Sequence, residues 1–216
     1  MTLYWDRSAE STQDKYMGNI TNGADLYDFE GYKIYRATDF EFNDAYNITD
    51  GDGNPTFLEP YVQNGVRAQW DLVDGKTGWH PVDLNGIKFY LGDDTGLTHS
   101  YVDHNVVNGQ RYYYAVVSYD YGGDLSNNII PSDSPMRLRV NPLTGAVSLG
   151  PNVVEVVPSP PSAGFVDAFF AGDQVDHVAG ASSGEVFLEI VDPQMVQDAH
   201  TYQITFDDTL FLNQQA

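Results

Sequence analysis

The chain has 216 residues, with 31 Asp and Glu against 10 Lys and Arg, so its formal net charge is −21. Such acidity argues against nucleic acids and anionic membrane surfaces as partners, because both attract basic proteins. Cysteine is absent, which excludes disulfides and thiolate chemistry, and no apolar run approaches the roughly 18 residues of a membrane span.

Short β-rich segments separated by tight-turn dipeptides run through the chain. Asn-Gly and Asp-Gly recur between them, and both dipeptides favour the positive φ angles of hairpin turns. No long segment has a 3.6-residue apolar period, so the sequence predicts an all-β protein. In chain order the predicted strands are Thr2–Trp5, Tyr32–Tyr35, Ile87–Leu91, Arg111–Tyr119, Met136–Val140, Val153–Val157, Phe165–Phe170, Val186–Val191, Tyr202–Phe206 and Thr209–Leu212.

Three of these segments resemble strands of a fibronectin type III module. Leu3-Tyr4-Trp5-Asp6 resembles its second strand, Gly31-Tyr32-Lys33-Ile34-Tyr35-Arg36 its third, and the tyrosine-rich run 112–119 its sixth. The resemblance covers about residues 2–141 and is closest to modules of large secreted and surface proteins of bacteria. It implies an Ig-like β-sandwich.

The resemblance also assigns particular roles. Tyr112 stands at the position of the module's corner tyrosine, whose hydroxyl would bond to the backbone just upstream. Along 112–119, even-numbered and odd-numbered side chains would face opposite ways. Pro135 to Val140 would be the last strand. Two departures are a long insertion at about 37–99 and a missing first strand, which we expect a neighbour to supply.

The distribution of charge predicts a domain boundary. Every Lys and Arg lies at or before Arg139, and residues 140–216 contain none. This shift predicts a sandwich at 1–141 followed by a smaller, acidic β-rich unit at 150–216.

One loop has the residue types of a calcium site. Asp50, Asp52 and Asn54 place oxygen side chains at alternate positions, and Glu59 could close the site. Pro55 stands where an EF-hand needs glycine, so a solvated Asp-Gly turn is the alternative. Calcium is the expected ion, since hard oxygen ligands are the donors here. Asp93, Asp94 and Asp103 form a second, weaker candidate.

Aromatic residues of the insertion raise the alternative of glycan binding. Trp70, Trp79 and Tyr90 could stack on sugar rings, although the same residues pack equally well in a core. Asn19 and Asn47 begin glycosylation acceptor triplets, which matter only in a glycosylating secretion pathway.

A catalytic role is not expected. Gly180-Ala181-Ser182-Ser183-Gly184 matches the nucleophile-elbow spacing, but a predicted strand follows it where that motif requires a helix. An enzyme acting through Ser182 therefore ranks last.

The expected function is structural. The sequence predicts a non-catalytic, extracellular or cell-surface building block that joins copies of itself or neighbouring domains by strand pairing. Leu210, Phe211 and Leu212, apolar on both faces near the end of the sequence, are the expected assembly residues. The alternative is a carbohydrate-binding accessory module of a secreted hydrolase, with glycans as partners.

Overall fold

The computed structural model describes residues 1–23, 26–45, 47–123, 128–136, 138–165, 175–181, 183–192, 195–196 and 200–206. The chain divides into two compact units, Met1–Pro160 and Pro161–Ala216. Strands dominate the first unit, which confirms the predicted all-β class. Within the described part of the chain, no helix has the length and hydropathy needed to cross a membrane.

The regular elements are short. A 3₁₀ helix covers Ser8–Ser11 and the α-helix α1 covers Lys15–Ile20. The strands are β1 (Thr2–Tyr4), β2 (Phe29–Ala37), β3 (Asn47–Thr49), β4 (Pro55–Leu58), β5 (Val62–Gln63), β6 (Val66–Arg67), β7 (Gln69–Asp71), β8 (Trp79–Leu84), β9 (Ile87–Tyr90), β10 (Ser100–Val102), β11 (Tyr112–Asp120), β12 (Leu138–Val140), β13 (Val147–Leu149) and β14 (Val153–Val156).

Two antiparallel sheets frame the first unit. The main sheet has the order β14-β11-β2-β7, and its centre is the long pairing of β2 with β11, from Tyr113 opposite Ala37 to Asp120 opposite Phe29. The second sheet consists of β1 and β10. Both central strands are rich in β-branched and aromatic residues, which pack well on a pleated surface.

The main sheet is covered on both faces. Even-numbered β11 residues Tyr112 and Tyr114 pack with Leu3 of β1, whereas the odd-numbered Ala115 and Val117 pack on the opposite face. This confirms the alternation predicted for 112–119. The opposite face is covered by partly buried residues of the insertion and of the β12–β13 hairpin, namely Phe40, Ala45, Leu58, Leu138 and Leu149.

The Asn-Gly turns predicted from the sequence form as expected in the insertion. Asn64 (φ 54°) and Gly65 (φ 82°) connect β5 to β6, and Asn85 (φ 52°) and Gly86 (φ 84°) connect β8 to β9. Two consecutive positive φ angles are the signature of a type I′ hairpin turn. Between these hairpins, β7 joins the edge of the main sheet beside β2, so the insertion contributes a strand to the sheet.

The predicted last strand is corrected by the structure. Residues of the predicted Pro135–Val140 strand form β12, which pairs with β13 in a separate hairpin. The strand that pairs with β11 is β14, with Tyr112 opposite Val156 and Ala115 opposite Val153. The first compact unit extends to Pro160 and so includes β14, the edge strand of the main sheet.

The second unit is described only in part. None of its described residues belongs to a named strand, and the predicted strands at Val186–Val191 and Tyr202–Phe206 are not formed. Phe187 (66% exposed) and Phe206 (77% exposed) are accordingly not packed as alternating apolar residues of a strand in a sheet would be. Most of the predicted strand at 165–170, and all of that at 209–212, lie outside the described residues.

Candidate functional site

The feature with the clearest functional potential is the edge of β1. Its odd-numbered residues bond to β10 and the adjoining residues, with the Trp5 N–H donating to His99 O (3.0 Å) and Met1 O accepting from Asp103 N (2.8 Å). Since backbone groups alternate in direction along a strand, the N–H and C=O of Thr2 point away from β10. In the described ranges, no strand pairs with β1 on that side.

A cavity of about 570 Å³ lies along this edge, between the two sheets. Leu3 and Trp5 line it from β1 and the residue that follows, and Tyr114, Val116 and Val154 line it from the main sheet. Most of this lining is apolar. The sandwich is therefore open where its smaller sheet has only two strands.

Trp5 forms the aromatic wall of the cavity. Its ring centroid lies 5.9 Å from that of Tyr32, 5.7 Å from that of Trp70 and 6.4 Å from that of His99. The indole Nε1 is buried and donates no hydrogen bond. An unsatisfied buried donor costs about 1 to 3 kcal/mol in stability, so the wall of the cavity lacks the hydrogen bonding of a well-packed protein interior.

The end of β10 is fixed by a buried carboxylate, which the sequence offered only as a weak calcium ligand. Asp103, fully buried, accepts hydrogen bonds from Arg36 Nη1 (2.7 Å), Tyr114 Oη (2.7 Å) and Tyr61 Oη (3.3 Å). Burial alone would raise the pKa of Asp103, but the bonds from Arg36 and Tyr114 hold it below its usual value. These bonds tie the β1–β10 sheet to the main sheet.

Tyr112 makes the hydrogen bond to upstream backbone that was expected of it. Its hydroxyl accepts a hydrogen bond from the backbone N–H of Val107 at 3.0 Å, five residues upstream. The ring is buried beside Tyr114. The bond holds the loop between β10 and β11 across the top of the sheet.

The predicted calcium ligands are not gathered into one acidic cluster. The Asp50 carboxylate accepts hydrogen bonds from Asn54 and from the N–H of Asp52 (3.0 Å), which close the loop as a turn. The bonds from Asn54 are the largest cause of the lowered pKa of Asp50. Glu59 pairs with Arg67 Nε at 2.6 Å.

A different acidic group comes together in the structure. Asp14, Asp28 and Asp120 each place a carboxylate oxygen within 4.8 Å of the others, the only such group found among the described His, Asp and Glu residues. Asp14 also caps α1, accepting from Tyr16 N (2.7 Å). Burial raises the pKa of Asp120, whose carboxylate accepts from Ser132. The three residues are far apart in sequence, so no local motif could have revealed them.

The second candidate set, Asp93, Asp94 and Asp103, is dispersed among other partners. Asp93 accepts a hydrogen bond from the Tyr90 hydroxyl, and Asp94 Oδ1 accepts from the N–H of Gly75 at 3.0 Å. Asp103 is the buried residue described above.

The three predicted sugar-binding aromatics occupy different environments. Trp70 is half-buried against Trp5 and Tyr101, whereas Trp79 is 57% exposed on β8. The rings of Trp79 and Tyr90 meet at 66°, so they do not form a coplanar platform. Trp70 and Tyr90 do share a cavity of about 610 Å³, which Tyr101 also lines.

The remaining predicted positions are less informative. Asn19 is exposed but lies in α1 rather than in a loop, and Asn47 begins β3. Leu210, Phe211 and Leu212, the predicted assembly residues, lie outside the described residues, as does Ser182.

Comparison with known proteins identifies no relative. No protein-family model, curated protein or solved structure matches this chain.

Proposed function

We propose that this chain is a non-catalytic structural module of a bacterial extracellular surface protein or fibre, joined to its neighbour by strand pairing at β1. One observation carries the proposal: the unpaired side of β1 runs beside an apolar cavity of about 570 Å³. An added strand would bond to the outward-facing backbone groups and insert alternate side chains between the sheets.

The strand pairing supports a fibronectin type III-like assignment. In such a sandwich the second strand pairs with the fifth, and the sixth lies between the third and the last. Here β1 pairs with β10, and β11 lies between β2 and β14. The first strand of this arrangement would pair with β1 on its open side, which is the side that the cavity adjoins.

The proposed donor is an apolar strand from another copy or a neighbouring domain. The run Leu210-Phe211-Leu212 is the candidate within this sequence, on its pattern alone. A strand given by one copy to the next makes a head-to-tail contact, which propagates as a filament instead of closing as a dimer.

The composition supports an extracellular location. A net charge of −21 keeps such modules apart through self-repulsion, and an ionic medium screens that repulsion enough for contact. The absence of cysteine leaves the fold independent of the redox state. Adhesion or load transmission along a fibre suits a module of this kind.

The test uses a proline at the outward-facing position of β1. Thr2→Pro removes an N–H that does not bond to β10, so the fold should persist while strand addition is blocked. Thr2→Ala is the matched control, since it keeps the N–H. We expect sedimentation velocity to show concentration-dependent growth for wild type and Thr2→Ala, and none for Thr2→Pro or for a chain lacking residues 209–216.

A monodisperse monomer at high concentration would refute self-assembly. If a synthetic peptide of residues 207–216 also failed to bind the chain lacking them, the 209–212 donor would be refuted as well. Equal assembly of Thr2→Pro and wild type would place the contact elsewhere.

Glycan binding is a second candidate, favoured by the cavity that Trp70 and Tyr90 share. The hydroxyl of Tyr101, which also lines this cavity, is buried without a hydrogen-bond partner. Saturable quenching of tryptophan fluorescence by a polysaccharide, retained in Trp79→Phe and lost in Tyr90→Ala, would support it. Quenching abolished by Trp79→Phe alone would refute this cavity as the site.

A further inference from the structure

A lysine lies buried in the middle of the main sheet. Lys33, in β2, is 3% exposed, although lysine is among the residues least often buried. Its Nζ lies 3.5 Å from the centroid of the Phe89 ring and 4.6 Å from that of Tyr119. The amine is thus enclosed by aromatic rings that exclude water.

A carboxyl group from a distant part of the chain faces this amine. Asp133 Oδ1 lies 3.3 Å from Lys33 Nζ, across 100 residues of sequence. The other oxygen, Oδ2, accepts a hydrogen bond from the hydroxyl of Tyr35. Asp133 is itself held beside β11 by a backbone bridge to Tyr119. The two reactive groups are therefore fixed against each other by neighbouring strands.

The surroundings favour the uncharged form of the Lys33 amine. Burial lowers the pKa of Lys33, although Asp133, Glu59 and Asp120 act in the opposite direction. Burial and the neighbouring Asp133 raise the pKa of Tyr35, so its hydroxyl stays protonated and keeps donating. In a site without water the charged pair is little more stable than the neutral pair, because each ion loses its hydration.

We propose that Lys33 and Asp133 form an intramolecular amide bond between Nζ and Cγ. Proton transfer from the ammonium to the carboxylate gives a neutral amine and a neutral acid. The amine lone pair then attacks Cγ, the bond from Cγ to Oδ1 breaks, and Oδ1 leaves as water with two protons. The balance is one amine plus one carboxylic acid giving one amide plus one water, with no oxidant or other reactant.

Each neighbour has a role in this step. The Tyr35 hydroxyl donates to Oδ2, where negative charge develops during the attack. The fixed distance between Nζ and Oδ1 supplies the proximity that a bimolecular reaction lacks. The side chain of Asp133 is 24% exposed, which gives the departing water a route out, while the Phe89 and Tyr119 rings shield Nζ.

Intact-mass spectrometry of the purified full-length chain tests the bond. We expect the wild-type mass to be lower than the sequence mass by one water molecule. Trypsin should fail to cleave after Lys33 and should release residues 16–36 joined to residues 112–137. Lys33→Arg, which keeps the positive charge but lacks a nucleophilic amine, should have its full sequence mass.

Two further variants separate bond formation from folding. Asp133→Asn keeps the shape of the side chain, and its amide would lose ammonia instead of water, a distinct mass loss. Tyr35→Phe removes the donor to Oδ2 and should slow formation on the order of tenfold, seen as a larger unreacted fraction soon after purification. A folded wild-type chain that keeps its full sequence mass after prolonged incubation would overturn the proposal.

Discussion

Replacement of Glu30 by glutamine should stabilise the protein at neutral and alkaline pH but not in acid. Glu30 lies in β2 with no exposed surface, and neither carboxylate oxygen accepts a hydrogen bond. Its nearest cation is Lys76 Nζ at 3.7 Å, too far for a hydrogen bond. Burial, reinforced by the charge of Asp74, raises the pKa of Glu30 from 4.5 to about 7.

The direction of the effect follows from proton binding. Between the pKa of 4.5 expected in the unfolded chain and the folded value of about 7, the folded state holds a proton that the unfolded state has lost. The stability that Glu30 contributes is therefore complete below 4.5 and is lost as the pH rises through 7. Glutamine stays neutral throughout and does not incur this loss.

The structure also sets the magnitude. At about 1.4 kcal/mol for each unit of pKa, the difference between the two states corresponds to an upper bound of about 3 kcal/mol. Lys76 is 41% exposed and brings solvent near the pair, so we expect about 2 kcal/mol after screening.

Urea unfolding of both proteins at about pH 4 and about pH 8 measures this difference. Glu30→Gln should gain about 2 kcal/mol over wild type at the higher pH relative to the lower. Glu41→Gln, the same change at an exposed carboxylate, is the matched control and should show little pH dependence. An equal effect of Glu30→Gln at both pH values would refute a buried, charge-destabilised carboxylate.

Four further predictions concern the framework of the sandwich and its loops. Tyr112→Phe should cost only about 1 kcal/mol in urea unfolding, because the released N–H of Val107 lies near solvent. Trp5→Ala should cost about 3 kcal/mol by the same measurement, less than a fully enclosed tryptophan, since a cavity already adjoins it. Asp103→Asn should cost about 3 kcal/mol, because it breaks a buried ion pair; a cost near zero would deny it the role of joining the two sheets. If calcium binds the 50–54 loop, adding it to chelator-treated protein should raise the melting temperature of wild type but not of Asp52→Asn, and an unchanged curve would exclude the site.

The local features of this fold could be read from the sequence because they depend on neighbouring residues. The two-residue period of 112–119 determines which side chains share a face, whatever packs against them. The turns at Asn64 and Asn85 require only two consecutive positive φ angles, which Asn-Gly supplies. Tyr112 was identified through the resemblance, and its hydrogen-bond partner, Val107, lies in the loop just before β11.

The features that the sequence did not reveal depend on distant contacts. Asp103 was named only as a weak calcium candidate, and only the folded chain shows that Arg36 and Tyr114 converge on it. The edge strand Val153–Val156 was predicted as a strand but assigned to the second unit, because the loss of basic residues after Arg139 coincides with no structural boundary. Charge composition reflects the residues at the surface, whereas strand pairing is determined by packing in the core.

The chain has few basic residues, and some of them join distant segments of the fold. At least five of the ten Lys and Arg residues have a carboxyl group as a close neighbour, and two of them, Lys33 and Arg36, lie in the central strand β2. Their partners are distant in sequence. Asp103 precedes β11 along the chain, and Asp133 follows it. In a chain with a net charge of −21, losing an exposed acid relieves repulsion, whereas losing Arg36 leaves the fully buried carboxylate of Asp103 without its counter-ion. The excess of acid is thus a property of the surface, and the few bases of β2 hold together segments that the sequence keeps far apart.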